Sequence, residues 1–471
     1  MANTIQHKRG TAADWTSADP TLAAGQIGVE TDTGKFKFGD GSTAWSALGY
    51  FETAAAPAAV FSPALAFTLD NPNAYGTSAG DKFGVRIATS DNYAIVGATG
   101  EDDAGGTDSG KAYIYNVTTG ALLHTLDNPN AYDTSLNDTF GLAVAISDNY
   151  AIVGAYQEDD AGGSASGKAY IYNVTTGALL HTLDNPNAYG TSASDFFGAS
   201  VAIDGDYAIV SARNESSSDN PLNGVGSGVV YIYNVTTGAL LHTLDNPNPY
   251  GSASGDAFGY GNSGVSISGN YAIVGATGEA EVGSSGTNTS GAVYIYNVTT
   301  GALLRSITNP NAYGAAGTDK FGFAVAISGN YAIASAYNED DAGGTKSGKA
   351  YIFDVTTGAL LHILDNPNPD GTSTNDIFGY NVSISGNYAI VSGHKEADAG
   401  GTDSGKAYIF NVTTGALLHT LDNPNPYGTS QTDYFGLGVA ISGNYAIVGA
   451  SNEDDAGGTE SGKVYIYSLY A

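Results

Sequence analysis

The sequence predicts an all-β chain folded as a seven-bladed β-propeller, and three observations carry that reading. Phe-Gly, with Asp two residues before the Phe, recurs at Phe83, Phe140, Phe197, Phe258, Phe321, Phe378 and Phe435, spaced by 57, 57, 61, 63, 57 and 57 residues. Each unit but the last holds four short strand-like runs, Val-, Ile- and Tyr-rich in the main, separated by turn residues, which is the signature of strands. The last unit lacks its fourth run, and a spare copy of that run stands ahead of the first unit. Fixed-period repetition of this kind marks modules that stack on one another.

Taken in order, residues 1–50 form a separate small module and 51–63, ETAAAPAAVFSPA, read as a semi-rigid Ala/Pro linker. In the module, GQIGVE-TDTG-KFKFGDG predicts a hairpin. So short a segment has too little core to stand alone, so oligomerisation is expected. Trp15 and Trp45, its two tryptophans, suit a small core between subunits. Residues 64–69 are the spare fourth strand and are expected to complete the last blade from the bottom, so that 64–471 closes on itself. Closure removes the edges an open array would expose.

Within a unit, FGxxVAIS is the first strand and YAIVGA the second. The Asp-Asn or Gly-Asn between them suits a tight two-residue hairpin, because both residues tolerate positive φ. KAYIYNV is the third strand, with Ala112 and Ile114 on one face and Tyr113 and Tyr115 on the other. A strand apolar on both faces belongs to a sheet sandwiched between two others, as in a propeller. Thr-Thr-Gly makes a three-residue hairpin with Gly left-handed. ALLHTLD is the fourth strand, ended by Asn-Pro-Asn because Pro cannot continue a ladder. The fourth-to-first and second-to-third connections share one face, the top.

Composition narrows function. The 471 residues carry 47 acids and 16 bases, a formal charge of −31, and no Cys. Residues 64–471 hold 41 of the acids and 12 of the bases. Such a chain does not bind nucleic acid or an anionic membrane nonspecifically. Absence of Cys excludes disulfides, Cys-type zinc sites and thiol catalysis. No apolar run is long enough to span a membrane, and the start MANTIQHKRG carries no secretory apolar region.

The string FGxxVAISGNYAIVGA…EDDAGGTDSGKAYIY resembles the FG-GAP repeat family, the propeller repeats also found in integrin α heads. The resemblance covers about 408 residues and all seven copies. Calcium-binding members carry an alternating-Asp loop between the first two strands. Here that loop is only Ser90-Asp91-Asn92-Tyr93 or Ser-Gly-Asn-Tyr, so the integrin-type calcium site is absent. Residues 1–50 resemble the N-terminal module of tailed-bacteriophage appendages, seen in tail fibres and phage hyaluronidases. Lys8-Arg9-Gly10-Thr11, Gly25 to Gly34 and Phe38-Gly39-Asp40-Gly41-Ser42 carry that resemblance, which implies a trimer.

Two acidic sets recur on the top connections. One is Asp81, Asp138, Asp195, Asp256, Asp319, Asp376 and Asp433; the other is Glu101, Glu158, Glu215, Glu279, Glu339, Glu396 and Glu453. Carboxylates suit a hard cation, Ca2+ above all, although no cofactor is required. The competing reading makes Asp a loop cap and leaves Glu in solvent or paired with Lys111 and its counterparts. His124, His181, His242, His362 and His419 share one slot with Phe67 and Arg305, and are expected as exposed rim residues too far apart to share a metal. His394 is expected in solvent, and the Asn-Val-Thr sites at Asn116 and its copies as turn chemistry. No nucleophile with a His partner, phosphate loop or distinctive carboxylate pair stands out, so no catalytic site is expected.

Repeats that differ point to recognition. Blade 3 has a longer second-to-third loop, 214–226, and blade 4 has a longer one, 279–291, with extra residues near 261–263. Asn214, Asp219, Asn223, Asn262, Glu281 and Asn288 are the candidate receptor contacts, with drift in a tolerant loop as the alternative. The expected function is a non-enzymatic virion appendage, a tail fibre or receptor-binding protein on the phage particle surface, assembled in the host cytoplasm. Residues 1–50 would anchor it to other virion proteins or trimerise it, and the propeller top would bind a host surface glycan or protein, without membrane insertion. The alternative is a capsid or tail decoration protein whose propeller packs on other virion proteins.

Overall fold

A computed structural model describes residues 8–33, 35–50, 60–72, 79–102, 107–129, 137–159, 163–186, 193–215, 226–247, 255–279, 290–310, 319–340, 345–367, 375–397, 402–424, 432–454 and 458–470. The chain divides into two compact units, Met1–Val60 and Phe61–Ala471.

The first unit is more than a hairpin. Its sheet has three strands: Lys8–Gly10 runs parallel to Ile27–Glu30, which runs antiparallel to Phe36–Phe38. Between the first two lies a helix, Ala12–Ala18, opened by a reciprocal cap. Thr11 Oγ1 accepts from the Asp14 amide at 3.2 Å, and Asp14 Oδ2 accepts from the Thr11 amide at 3.0 Å. The tryptophans are placed differently from the intersubunit core the sequence suggested. Trp15 and Trp45 stack on each other at 4.2 Å beside buried Leu22, and the Trp15 ring N–H is fastened to the Val29 carbonyl at 2.9 Å. They fill this unit's own core. Gly28 makes room for them, since a Cβ there would lie 2.4 Å from the Trp45 ring.

The second unit is all-β and consists of repeated four-stranded antiparallel sheets, as propeller blades are; seven occur among the described residues. Sheet 1 is Phe83–Thr89, Tyr93–Ala98, Lys111–Asn116 and Leu122–Asp127, and sheets 2 to 6 repeat it in chain order. Sheet 7 takes Phe435–Ser442, Tyr445–Ala450 and Lys463–Tyr470 from the last repeat, and its fourth strand is Phe61–Asp70. That strand starts before residue 64 because Phe61 pairs with Tyr470. First strands of successive sheets pack side by side, and Phe435–Ser442 packs against Phe83–Thr89.

Burial follows the sheet sandwich. Tyr113, Ile114 and Ala112 are all buried, as are their copies in every sheet. The Thr-Thr-Gly turn is as expected: Gly120 takes φ 69°, and Asn116 Oδ1 accepts from the Thr118 and Thr119 amides and the Thr119 hydroxyl. The first hairpin uses its tolerance of positive φ sparingly. Only its Gly, as at Gly205 (φ 55°), is left-handed, and the Ser-Asp-Asn copies reach the turn without any.

Sheet joins to sheet through the Ser-Gly before each third strand. The Phe83 amide donates to the Ser461 carbonyl at 2.9 Å, and the Phe140 amide to Ser109 at 3.1 Å, with the same bond at every Phe-Gly. The adjoining glycines, Gly110 and its copies, stand at φ 83–92°. A Cβ on any of them would come within 2.0–2.2 Å of the next sheet's Phe carbonyl. Only glycine meets both demands.

Candidate binding face at the Phe-Gly end

Because each sheet is antiparallel, the start of its first strand and the end of its second lie at one end: Phe83 pairs with Ala98. The two acidic sets also lie there, but inside the protein. Each Asp is buried and accepts on Oδ2 from an Asn ten residues earlier, at 2.8–3.1 Å; Asn71 to Asp81 is the first. The bond ties the end of one sheet's fourth strand to the next sheet's Phe-Gly.

Each Glu is buried as well, so the solvent-facing alternative is corrected. Glu158 accepts from the Tyr170 hydroxyl at 2.6 and 2.8 Å, and Glu101, Glu215, Glu339, Glu396 and Glu453 accept from the tyrosine of their own third strand. Burial pushes the carboxyls of Glu101, Glu158, Glu279 and Glu339 up to about 7 and that of Glu453 to about 8. In sheet 4 burial also lifts Asp256 to about 7, with Glu279 beside it adding to the rise. The lysine was expected on Glu and binds elsewhere: Lys168 Nζ meets Asp184 at 2.5 Å, and Lys111, Lys349, Lys406 and Lys463 pair with Asp127, Asp365, Asp422 and Asp70. Among the described residues no three carboxylates or histidines come together as a metal-ligating group.

The rim histidines have a role the sequence reading missed. His124 Nε2 lies 3.1 Å from the Thr175 carbonyl of the next sheet, with its ring over Gly177. His181, His242 and His362 repeat this on Thr236, Thr299 and Thr413, and Arg305 donates to Thr356. Phe67 covers Gly120 in the same way. The histidines and Phe67 are half-buried and Arg305 is exposed, and all of them staple neighbouring sheets and are not free rim residues.

His394 corrects another expectation. It is buried, with its ring 4.4 Å from Tyr380 and 5.7 Å from Tyr434, and Nδ1 has no hydrogen-bond partner. Burial pushes its pKa down to about 3, with Lys395 and Arg86 adding to the effect. It belongs to a belt of rings at the Phe-Gly end. Phe323 stands 4.5 Å from Tyr337 and 5.1 Å from Tyr380, and Tyr260 lies 6.2 Å from Phe323. Arg213 then lies over Tyr260, Phe196 and Tyr156 at 5.0, 4.8 and 5.1 Å.

Beneath the belt the seven first strands line a cavity of about 200 Å³, with Arg86, Asn262 and Asn381 among its polar residues. Asn262, a candidate contact by loop length, is thus a lining residue; it is 7% exposed, and its amide N and O have no partner. Asn214 is exposed, and its amide N–H bonds the Asp195 carbonyl. Asp219, Asn223, Glu281 and Asn288 lie outside the described residues. The belt was legible in one way only. In otherwise near-identical repeats, the residue after Phe-Gly reads Val, Leu, Ala, Tyr, Phe, Tyr, Leu, and the residue after the second strand reads Thr, Tyr, Arg, Thr, Tyr, His, Ser.

Six stretches, 73–115, 130–172, 187–233, 311–353, 368–410 and 426–467, match the FG-GAP repeat, just over half of the chain. The chain belongs to the FG-GAP repeat family. Its residues 5–43 match the major tropism determinant N-terminal domain. Together these make it a bacteriophage appendage protein with FG-GAP blades. A similar protein is the hyaluronoglucosaminidase of Streptococcus pyogenes phage H4489A, 50% identical over 46 residues. That match spans 10% of this FG-GAP chain and 12% of the phage enzyme. Among solved structures, the crystal structure of the computationally designed Ika8 protein aligns with 85% of this chain and 99% of its own, at 14% identity and a TM-score of 0.42.

Proposed function

We propose that this chain is the non-enzymatic receptor-binding component of a phage virion, with residues 61–471 closed into one seven-bladed ring. The single observation that carries the function is the joining of a tropism-determinant N-terminal domain to blades whose sequences diverge most visibly at one end. Loops and rims on a rigid scaffold are where recognition concentrates. Ring closure is supported by the pairing of Phe61–Asp70 with Lys463–Tyr470 and by the packing of Phe435–Ser442 on Phe83–Thr89. Residues 1–50 would attach or trimerise the chain, and three heads would add avidity to weak single sites.

Purified full-length chain should compete with the phage for adsorption to its host. Absence of competition, with the chain found wedged between capsid or tail subunits, would replace this function with decoration. One observation favours that second reading. The fourth strands leave Leu122, Leu123, Leu179 and Leu180 exposed, with further leucines at the same places in the other sheets, a surface suited to packing on other virion proteins.

A further inference from the structure

Of the twelve bases in residues 64–471, five lysines are spent on the aspartates that end the fourth strands, and Arg305 staples two sheets. Two others, Arg86 and Arg213, belong to the aromatic belt and the cavity beneath it. Among the described residues neither pairs with a carboxylate, in a chain with 47 of them. Among the described residues, Arg86 bonds only the neighbouring Val85 carbonyl, at 2.9 Å, and Arg213 meets only ring faces. A guanidinium is always charged and has a fork of donors shaped for a carboxylate, so leaving it half-buried and unpaired costs stability.

Around these two cations stand groups suited to a sugar. Tyr260 is 37% exposed, and Tyr337, Tyr380 and Tyr434 are half-buried, so each leaves part of its side chain open to solvent. Asn262 offers an unpartnered amide in the cavity, and His394 an unpartnered ring nitrogen within the belt. Ligand sites combine aromatic walls with a few such polar groups. The belt is also confined: the equivalent places in sheet 1 carry Val85 and Thr99, so the feature is not a requirement of the fold.

We propose that the belt is a glycan site that takes a sugar bearing a carboxylate. The pyranose stacks on the tyrosines, and the carboxylate is received by Arg213 and Arg86. This deepens the receptor-binding reading and rests on it. It places the contact on the belt side chains, Arg213 and Tyr260 among them, and not on Asn214.

The test uses the full-length chain on immobilised oligosaccharides containing glucuronic, galacturonic or sialic acid, each beside its carboxyl-reduced counterpart. The expected result is binding to at least one acidic member and a loss of about tenfold or more on reduction. Arg213→Ala and Tyr260→Ala should each weaken that binding by a similar factor with an unchanged melting temperature, and Asn214→Ala should leave it intact. Tyr260 is exposed enough that its truncation does not endanger folding. Binding to neutral sugars alone, binding indifferent to both belt variants, or no binding to any acidic member overturns the proposal. Adsorption to host cells separates the two levels. If the chain still blocks the phage while both variants behave as wild type, the belt fails and the receptor reading stands. If the chain never engages the cell, the receptor reading fails.

Discussion

At the residue scale, the repeated Glu shows what repetition can and cannot reveal. Its recurrence in every unit was plain in the sequence, but its partner was not, because Lys111 and Tyr113 sit side by side in the same strand. Burial decides between them: the hydroxyl satisfies Glu inside the sheet, and the lysine satisfies Asp127 at the sheet's end. A carboxyl raised by burial is protonated more readily folded than unfolded. Between about pH 4.5 and its raised value the folded state therefore holds more protons, and stability falls as pH rises. His394 works the other way: its pKa is depressed, so its contribution is present above pH 6.5 and is lost as pH falls toward about 3. Five raised glutamates outweigh one histidine, so melting temperature should decline from about pH 5 to pH 8. Glu158→Gln keeps an acceptor for Tyr170 and should flatten that decline, while Glu158→Ala should cost about 1–3 kcal/mol by orphaning the hydroxyl. A melting temperature that climbs steadily to pH 8 would refute the burial account. The same titration makes the net charge less negative than the formal −31, because the raised acids take up protons near neutral pH.

At the scale of the element, strands and turns were legible because alternation, Thr-Thr-Gly and Asn-Pro-Asn are local signals. Contacts between sheets were not, because a glycine's neighbour lies in another repeat. Gly167 and Gly205 make the difference measurable. Both have positive φ, at 85° and 55°, but a Cβ on Gly167 would lie 2.0 Å from the Phe197 carbonyl, whereas Gly205 has open space. Gly205→Ala should cost about 1–2 kcal/mol, the left-handed penalty alone. Gly167→Ala must in addition push two sheets apart and should cost more than about 3 kcal/mol. Equal losses in chemical denaturation would mean that the Ser-Gly join does not hold sheet to sheet. The helix Ala12–Ala18 was missed for a similar reason: its cap, Thr11 with Asp14, lies in a stretch whose apolar pattern is too short to register as helical.

At the scale of the whole molecule, the displaced fourth strand was the most legible feature, since ALAFTLDNP stands apart from the repeats it copies. Its consequence is testable by rearrangement. Lys463 lies opposite Asp70 and Tyr470 opposite Phe61, so the end of the third strand stands beside the start of the fourth. A chain in which residues 61–72 are moved behind Tyr470, joined by a Thr-Thr-Gly turn, would make sheet 7 like the other six. In the proposed ring this permutation keeps every pairing and should leave the melting temperature within a few degrees of wild type. Deleting 61–72 outright removes the pairing for Lys463–Tyr470 and leaves buried Lys463 without Asp70. Asp70 is largely exposed, so the ammonium loses a half-solvated partner, about 1–3 kcal/mol for a buried group left unsatisfied, and the exposed strand edge invites association. The deletion should therefore melt far lower and aggregate, whereas the permutant should not. A deletion as stable as wild type would refute the closed ring, and so would a permutant as unstable as the deletion.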